Sequence, residues 1–191
     1  RAASFGGTAR RKCCDVGGRR PGLPRAEQRG VTLPRRVIPG QTYLISRRCA
    51  RRCFFLKPTP ATTDLFTYCL ALAASRHGVL LHAAFVTSNH YHLVCSDPEG
   101  ALPRFQHDLN GTLARALNTQ LGRGENLWTT GSYSSCEIHD HATLLEKLVY
   151  VMTQCTKDGI LARPERWPGL RTLPADVGTR TLVARRPAGF F

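Results

Sequence analysis

Acidic side chains are scarce in this chain. Thirteen Asp and Glu stand against 27 Lys and Arg, 23 of them arginine, for a net charge of +14 and a pI near 10.1. So few and so scattered carboxylates argue against a hydrolase that gathers its metal with acidic ligands. No apolar run approaches the roughly 18 residues that a membrane span needs, and the N-terminus lacks the apolar core of a signal peptide. The chain therefore reads as soluble and cytoplasmic. Its eight cysteines include no C-x-x-C pair, which speaks against a zinc site and for reduced thiols acting as small core hydrophobes. A Walker-type glycine loop is also missing, which fits a chemistry that needs no nucleotide hydrolysis. Met152 is the single methionine and the sequence begins at Arg1, so it reads as a fragment or as a reading frame with an unusual start.

What is present is positive charge and a core. The 42% apolar content is enough to bury one compact domain with tails. The charge makes a polyanion the leading partner class. Residues 1–48 hold twelve basic and two acidic side chains. Arg10-Arg11-Lys12, Arg19-Arg20 and Arg35-Arg36 there are interrupted by glycines and by Pro21, Pro24, Pro34 and Pro39. Residues 1–40 are accordingly expected to be a flexible basic arm that neutralises phosphates, or else an untidy leader. Residues 41–165 form the expected folded domain, and 166–191 an expected C-terminal tail, one that a fragment would cut short.

Within the domain, β-branched and aromatic content predicts a strand over Thr42–Ser46. Thr62 or Thr63 is placed to cap a helix through Leu65, Phe66, Cys69, Leu70 and Ala73, stopped at His77-Gly78. Strands follow over Val79–Thr87 and His90–Cys95, separated by a turn at Ser88-Asn89. A second helix runs from about Pro103 to Leu121, a fourth strand from about Ser132 to Ile138, and a last helix from Ala142 to about Thr156, opened by Asp140. The order β-α-β-β-α-β-α begins with the split βαβ pattern. It predicts an α+β, ferredoxin-like (RRM-like) antiparallel sheet with helices on one face and with strands one and three central.

Two stretches carry chemistry. In Ser88-Asn89-His90-Tyr91-His92-Leu93-Val94, strand alternation puts His90 and His92 on one face and Tyr91 on the other. Such a pair can hold a divalent metal with two nitrogens; equally, it can be a merely solvated pair on a half-exposed strand. In the last helix the apolar stripe reads as Leu145, Leu148, Val149 and Met152, at about 100° per residue. Tyr150 and Gln154 fall opposite, one turn apart. A tyrosine at the edge of helix packing is the plainer alternative.

The pair of histidines on a strand, followed by a helix with Tyr and an amide four residues on, resembles the HUH single-tyrosine transposases. Phe85-Val-Thr-Ser-Asn-His-Tyr-His-Leu-Val, Leu127-Trp128 before a Gly-Ser-Tyr strand, and Tyr150-Val-Met-Thr-Gln ahead of Lys157-Asp158-Gly159-Ile160 are similar to the REP-associated (IS200-like) members in particular. The likeness spans residues 40 to 165. It implies His90, His92 and Gln154 as ligands of Mg²⁺ or Mn²⁺, and Tyr150 as a nucleophile that cleaves and rejoins single-stranded, hairpin-associated DNA through a 5′-phosphotyrosine. Where REP-associated members carry Asn-Pro, this chain has Gln154-Cys155; single-tyrosine relatives do use glutamine. A lone tyrosine implies a homodimer, or successive use of one subunit. Arg47, Arg48, Arg104 and Arg115 are candidate DNA contacts, although most such arginines are solvated surface. The alternatives are a non-catalytic RRM-like binding module, which wants exposed aromatics on the central strands, a metal-dependent hydrolase, or a decayed transposase.

Overall fold

The computed structural model describes residues 37–131, 133–188 and 190, so all but the last four positions of the expected basic arm lie outside the described residues. The elements are β1 (Gln41–Arg48), α1 (Pro60–His77), β2 (Leu80–Val86), β3 (His90–Asp97), α2 (Leu102–Gln120), β4 (Ser134–Ile138), α3 (His141–Met152) and α4 (Gln154–Lys157). The strands form one antiparallel sheet in the order β2-β3-β1-β4. The fold is α+β with the ferredoxin-like split βαβ topology, and β1 and β3 are the central pair.

Local chemistry fixes the element ends. Thr59, rather than the expected Thr62 or Thr63, caps α1: its Oγ1 accepts from the Thr62 N–H at 3.2 Å. Pro60 has no N–H to satisfy and its fixed φ suits a first helical position, so the helix starts earlier than the apolar pattern suggests. Gly78 ends α1 in the left-handed region at φ 64°, as expected. Both carboxylate oxygens of the fully buried Asp97 accept backbone N–H groups at the head of α2, from Ala101 at 2.8 Å and Leu102 at 2.7 Å. These satisfy donors that a helix start leaves orphaned. Asp140 caps α3 as expected, accepting from the Thr143 N–H at 2.8 Å.

Strand alternation divides the core in two. Tyr43, Ile45, Tyr91, Leu93 and Cys95 face α1 and α2, packing with Phe66, Leu70, Phe105, Leu109 and Leu113. Each such buried side chain is worth about 1.5–3 kcal/mol of transfer free energy. The other face carries Ala83, Phe85, Val94 and Ile138 against Val151, Met152, Cys155 and Trp167. The helices thus occupy both faces, not one, because α3 returns across the side that α1 and α2 leave open.

The set of α3 contacts differs from the periodicity reading. Leu145 is 50% and Val149 57% exposed, whereas Val151 and Met152 are buried and Leu144 and Leu148 pack on the sheet. The helix has apolar residues on more than one side, and the sheet takes the Leu144–Leu148–Val151 side. The helix also breaks at Thr153 (φ −100°, ψ 13°), so Gln154 opens the short α4 instead of continuing the helix of Tyr150. Thr153 Oγ1 donates to the Val149 carbonyl at 2.7 Å, a back-bond that bends helices.

Residues 167–172 lie along β2, while Phe190 packs on Tyr68 of α1. Val86 N–H donates to Leu170 O at 3.0 Å, Thr172 N–H to Ala84 O at 2.9 Å, and the Trp167 indole to Val86 O at 2.9 Å. A strand edge that would template unwanted pairing is covered in this way.

Candidate active site

The histidine pair lies on β3, at the centre of the sheet, on the face covered by α3. Arg48 of β1 stands opposite His90 in register, and Ser46 opposite His92. The two imidazoles sit edge to face with centroids 4.9 Å apart, and the Tyr150 ring from α3 meets His92 edge-on at 5.4 Å. The Lys157 ammonium lies 4.6 Å above the Tyr150 ring. Gln154 is buried and bonds Asp158, whose charge is felt by both imidazoles. His90, His92, Tyr150 and Gln154, some sixty residues apart in sequence, therefore share one corner of the fold.

Hydrogen bonds fix the orientation of His90. The Asn89 side-chain N–H₂ donates to the Arg52 carbonyl at 3.2 Å, which turns its Oδ1 toward His90 Nδ1 at 2.6 Å. A carbonyl oxygen can only accept, so Nδ1 carries the proton and the lone pair of the neutral ring is left on Nε2. Thr87 Oγ1 also contacts Nδ1, at 2.8 Å, and accepts the His90 backbone N–H at 3.1 Å. On the other side, Gln154 Nε2 donates to Asp158 Oδ2 at 3.1 Å, which assigns the amide so that Oε1 is its free oxygen.

Electrostatics keep both rings neutral. Burial lowers the His92 pKa to about 4, assisted by His90 and Arg48 and opposed by Asp158. His90 is lowered too, by burial first and then by Arg48, again with Asp158 opposing. Neutral imidazole is the protonation state that binds metal.

Two buried polar atoms here have no hydrogen-bond partner: Gln154 Oε1, an acceptor, and His92 Nδ1, an acceptor in the Nε2–H tautomer. Leaving a buried acceptor unpaired costs about 1–3 kcal/mol, and such groups at one corner fit a cation that would satisfy both. Among the described residues no three His, Cys, Asp or Glu side chains cluster as a metal site; the third donor in this corner is an amide. Two imidazole nitrogens and one amide oxygen, all neutral, would accept Mn²⁺ more readily than Mg²⁺, which favours oxygen, and later first-row divalent ions more readily still.

The arginine candidates separate. Arg48 is exposed at the mouth of this corner, opposite His90. Arg47 turns to the other face and donates to the carbonyls of Gly131 at 2.8 Å and Thr129 at 3.3 Å, holding the loop before β4. Arg104 and Arg115 are exposed on α2, on the side of the sheet away from the histidines. The sequence reading missed Thr87, Asn89 and Asp158 as partners of the site. Only Asp158 left a trace, its four-residue spacing from Gln154.

Together these features define a ferredoxin-like α+β protein with paired imidazoles on a central strand and a tyrosine helix laid across them. No family model and no curated protein sequence matches the chain. Among solved structures, it is similar to a REP-associated tyrosine transposase bound to a REP hairpin, at 14% identity and a TM-score of 0.59, covering 71% of this chain and 79% of that one. A candidate transposase from Deinococcus radiodurans R1 is 21% identical with a TM-score of 0.44, over 68% of this chain and 97% of that one. The first likeness shows a shared fold. Among the described residues, no helix is long and apolar enough to cross a membrane.

Proposed function

We propose that this chain is a DNA transposase of the single-tyrosine type, which cuts and rejoins single-stranded DNA beside a hairpin. The observation that carries the reading is the convergence of His90, His92 and Tyr150 on one face of the sheet, with Gln154 joined to them through Asp158 and with His92 Nδ1 and Gln154 Oε1 buried and unpartnered. The shared fold with a protein bound to a REP hairpin supports the substrate class.

His90 Nε2, His92 and Gln154 Oε1 would hold the divalent ion. When bound, that ion supplies a positive charge that polarises the scissile phosphate. The chain's own groups do the rest. Tyr150 Oη attacks phosphorus in line, forming a P–O bond to the phenol and breaking the bond to the 3′ oxygen. The phenolic proton is lost to solvent, and the leaving oxygen takes up a proton as a free 3′-hydroxyl. The 5′-phosphotyrosine keeps the phosphoester bond energy, so a second 3′-hydroxyl can reverse the step and join a new strand without nucleotide hydrolysis. The Lys157 ammonium over the ring offsets the negative charge of the attacking phenolate. Arg48 beside His90 pairs with the phosphate from the solvent side.

An RRM-like binding module fits less well. On the face opposite α1 and α2, β1 and β3 present Thr42, Leu44, Ser46, Arg48, His90, His92, Val94 and Ser96, with no Phe, Tyr or Trp on which bases could stack. The test is strand cleavage of a hairpin oligonucleotide with single-stranded flanks, in Mn²⁺, resolved on a denaturing gel. Nicking that is lost with chelator, in Tyr150→Phe and in His90→Ala supports the reading. Nicking that persists in Tyr150→Phe would overturn it in favour of a hydrolytic nuclease.

A further inference from the structure

The loop after β1 has the attributes of a second nucleic-acid contact. It contains Arg51, Arg52, Phe54 and Lys57, all exposed, and no acidic residue between Cys49 and Pro58. Phe54 is 61% exposed, while its neighbour Phe55 is packed on the core under the Arg123 guanidinium, 3.9 Å from the ring. An exposed phenyl ring flanked by guanidinium groups is a poor surface for an apolar protein partner. It is a good one for a base, whose face stacks on the ring while its phosphates meet the arginines.

The backbone makes the same point. Arg51 (φ 51°) and Arg52 (φ 58°) are the non-glycine residues in the left-handed region among those described. Glycine takes these angles without strain, and successive side-chain-bearing residues do not. Arginine at both positions is unfavourable for folding and needs another reason. The strained turn is also firmly held. Cys49 N–H donates to Asn89 O at 2.8 Å, Ala50 N–H to Leu127 O at 2.8 Å and Leu56 N–H to Ser88 O at 2.9 Å. A rigid loop presents its side chains without the ordering entropy that a mobile one loses on binding.

Its position ties it to the site. Asn89 donates to the Arg52 carbonyl and accepts from His90 Nδ1, so the loop is one side chain away from the histidine pair. Arg48, opposite His90, immediately precedes it. We infer that residues 51–54 bind one unpaired nucleotide of the single strand next to the scissile phosphate, with Phe54 stacked on the base and Arg51 and Arg52 on its phosphates. This rests on the reading that the site takes single-stranded DNA.

Binding of fluorescently labelled hairpins with and without a single-stranded flank, measured by anisotropy on the full chain with chelator present, tests both separately. Phe54→Ala is expected to weaken the flanked hairpin by about ten- to a hundredfold and to leave the blunt hairpin unchanged, while Phe54→Trp restores the loss. Arg51→Ala and Arg52→Ala should each flatten the slope of log K against log salt by about 0.7. Equal affinity of Phe54→Ala and the unvaried chain for the flanked hairpin would overturn this inference alone. Failure of the unvaried chain to distinguish flanked from blunt hairpins would overturn the single-strand reading and this inference with it.

Discussion

The two faces of the sheet are built for different ends. Toward α1 and α2, polar groups are few and mostly engaged: Tyr91 OH reaches Gln106 Oε1 at 3.1 Å and Asn110 Oδ1 at 2.8 Å, the Trp128 indole donates to Asn110 O at 2.9 Å, and Gln106 Nε2 is left without a partner. Around them lie Phe66, Leu93, Phe105 and Leu113, each at most 1% exposed. Toward α3, the apolar cluster is smaller and gives way at the His90 end of β3 to two neutral imidazoles and an amide with lone pairs left over. One face stabilises the fold. The other gathers at one end of a strand several buried polar groups whose burial folding alone does not favour, and the proposed reaction is placed there for that reason.

That contrast can be broken by mutation. The largest effect is expected on the α1–α2 face: Phe66→Ala should lower stability by about 3–5 kcal/mol in urea unfolding, through lost burial and the cavity left behind. A second test is acid. His92 ionises at about 4 in the folded chain and near 6.5 when unfolded, so the unfolded state binds the extra proton first. Stability is thus fully present above about pH 6.5 and is lost as pH falls toward 4, by up to about 3 kcal/mol. Metal-free His92→Leu unfolded by urea across that range should show a visibly flatter profile; an unchanged profile would show that His92 is not the source.

Smaller effects sharpen the comparison on the α3 side. Asp158→Ala should weaken Mn²⁺ binding by about 10- to 100-fold in calorimetric titration, because the bond that holds the Gln154 amide with Oε1 free is then lost. Unaltered affinity would remove Asp158 from the site. Smallest of all, Gln154→Met should change stability by less than about 1 kcal/mol, since removing an unpaired buried carbonyl oxygen offsets the lost Nε2 bond to Asp158, which is exposed and can be hydrated instead. A loss as large as that of Phe66→Ala would show that this amide stabilises the fold and is not held in reserve for a ligand.

Much of the fold is legible along the chain because β3 and α1 obey simple periods. Alternation alone sends Tyr91 into the core and His90 and His92 to the other side, and His77-Gly78 marks a helix end by glycine's tolerance of positive φ. The orientation of α3 is not legible. Leu144, Leu145, Leu148, Val149, Val151 and Met152 supply more apolar surface than one stripe can use, so the sheet decides which of them is buried. Nor does helical spacing explain how Tyr150 and Gln154 come together, since Thr153 breaks the helix between them. Asn89 and the Arg51–Arg52 turn are invisible for another reason: their roles depend on a hydrogen bond between two loops distant in sequence.

The most direct test of the central claim is to find the amino acid that becomes joined to DNA. The chain would be reacted with a flanked hairpin oligonucleotide in Mn²⁺, digested, and its peptides mapped by mass spectrometry. A nucleotide-bearing peptide with the phosphate on Tyr150 is the predicted result. A cleaved strand with no modified peptide, or with the phosphate on another residue, would contradict the account.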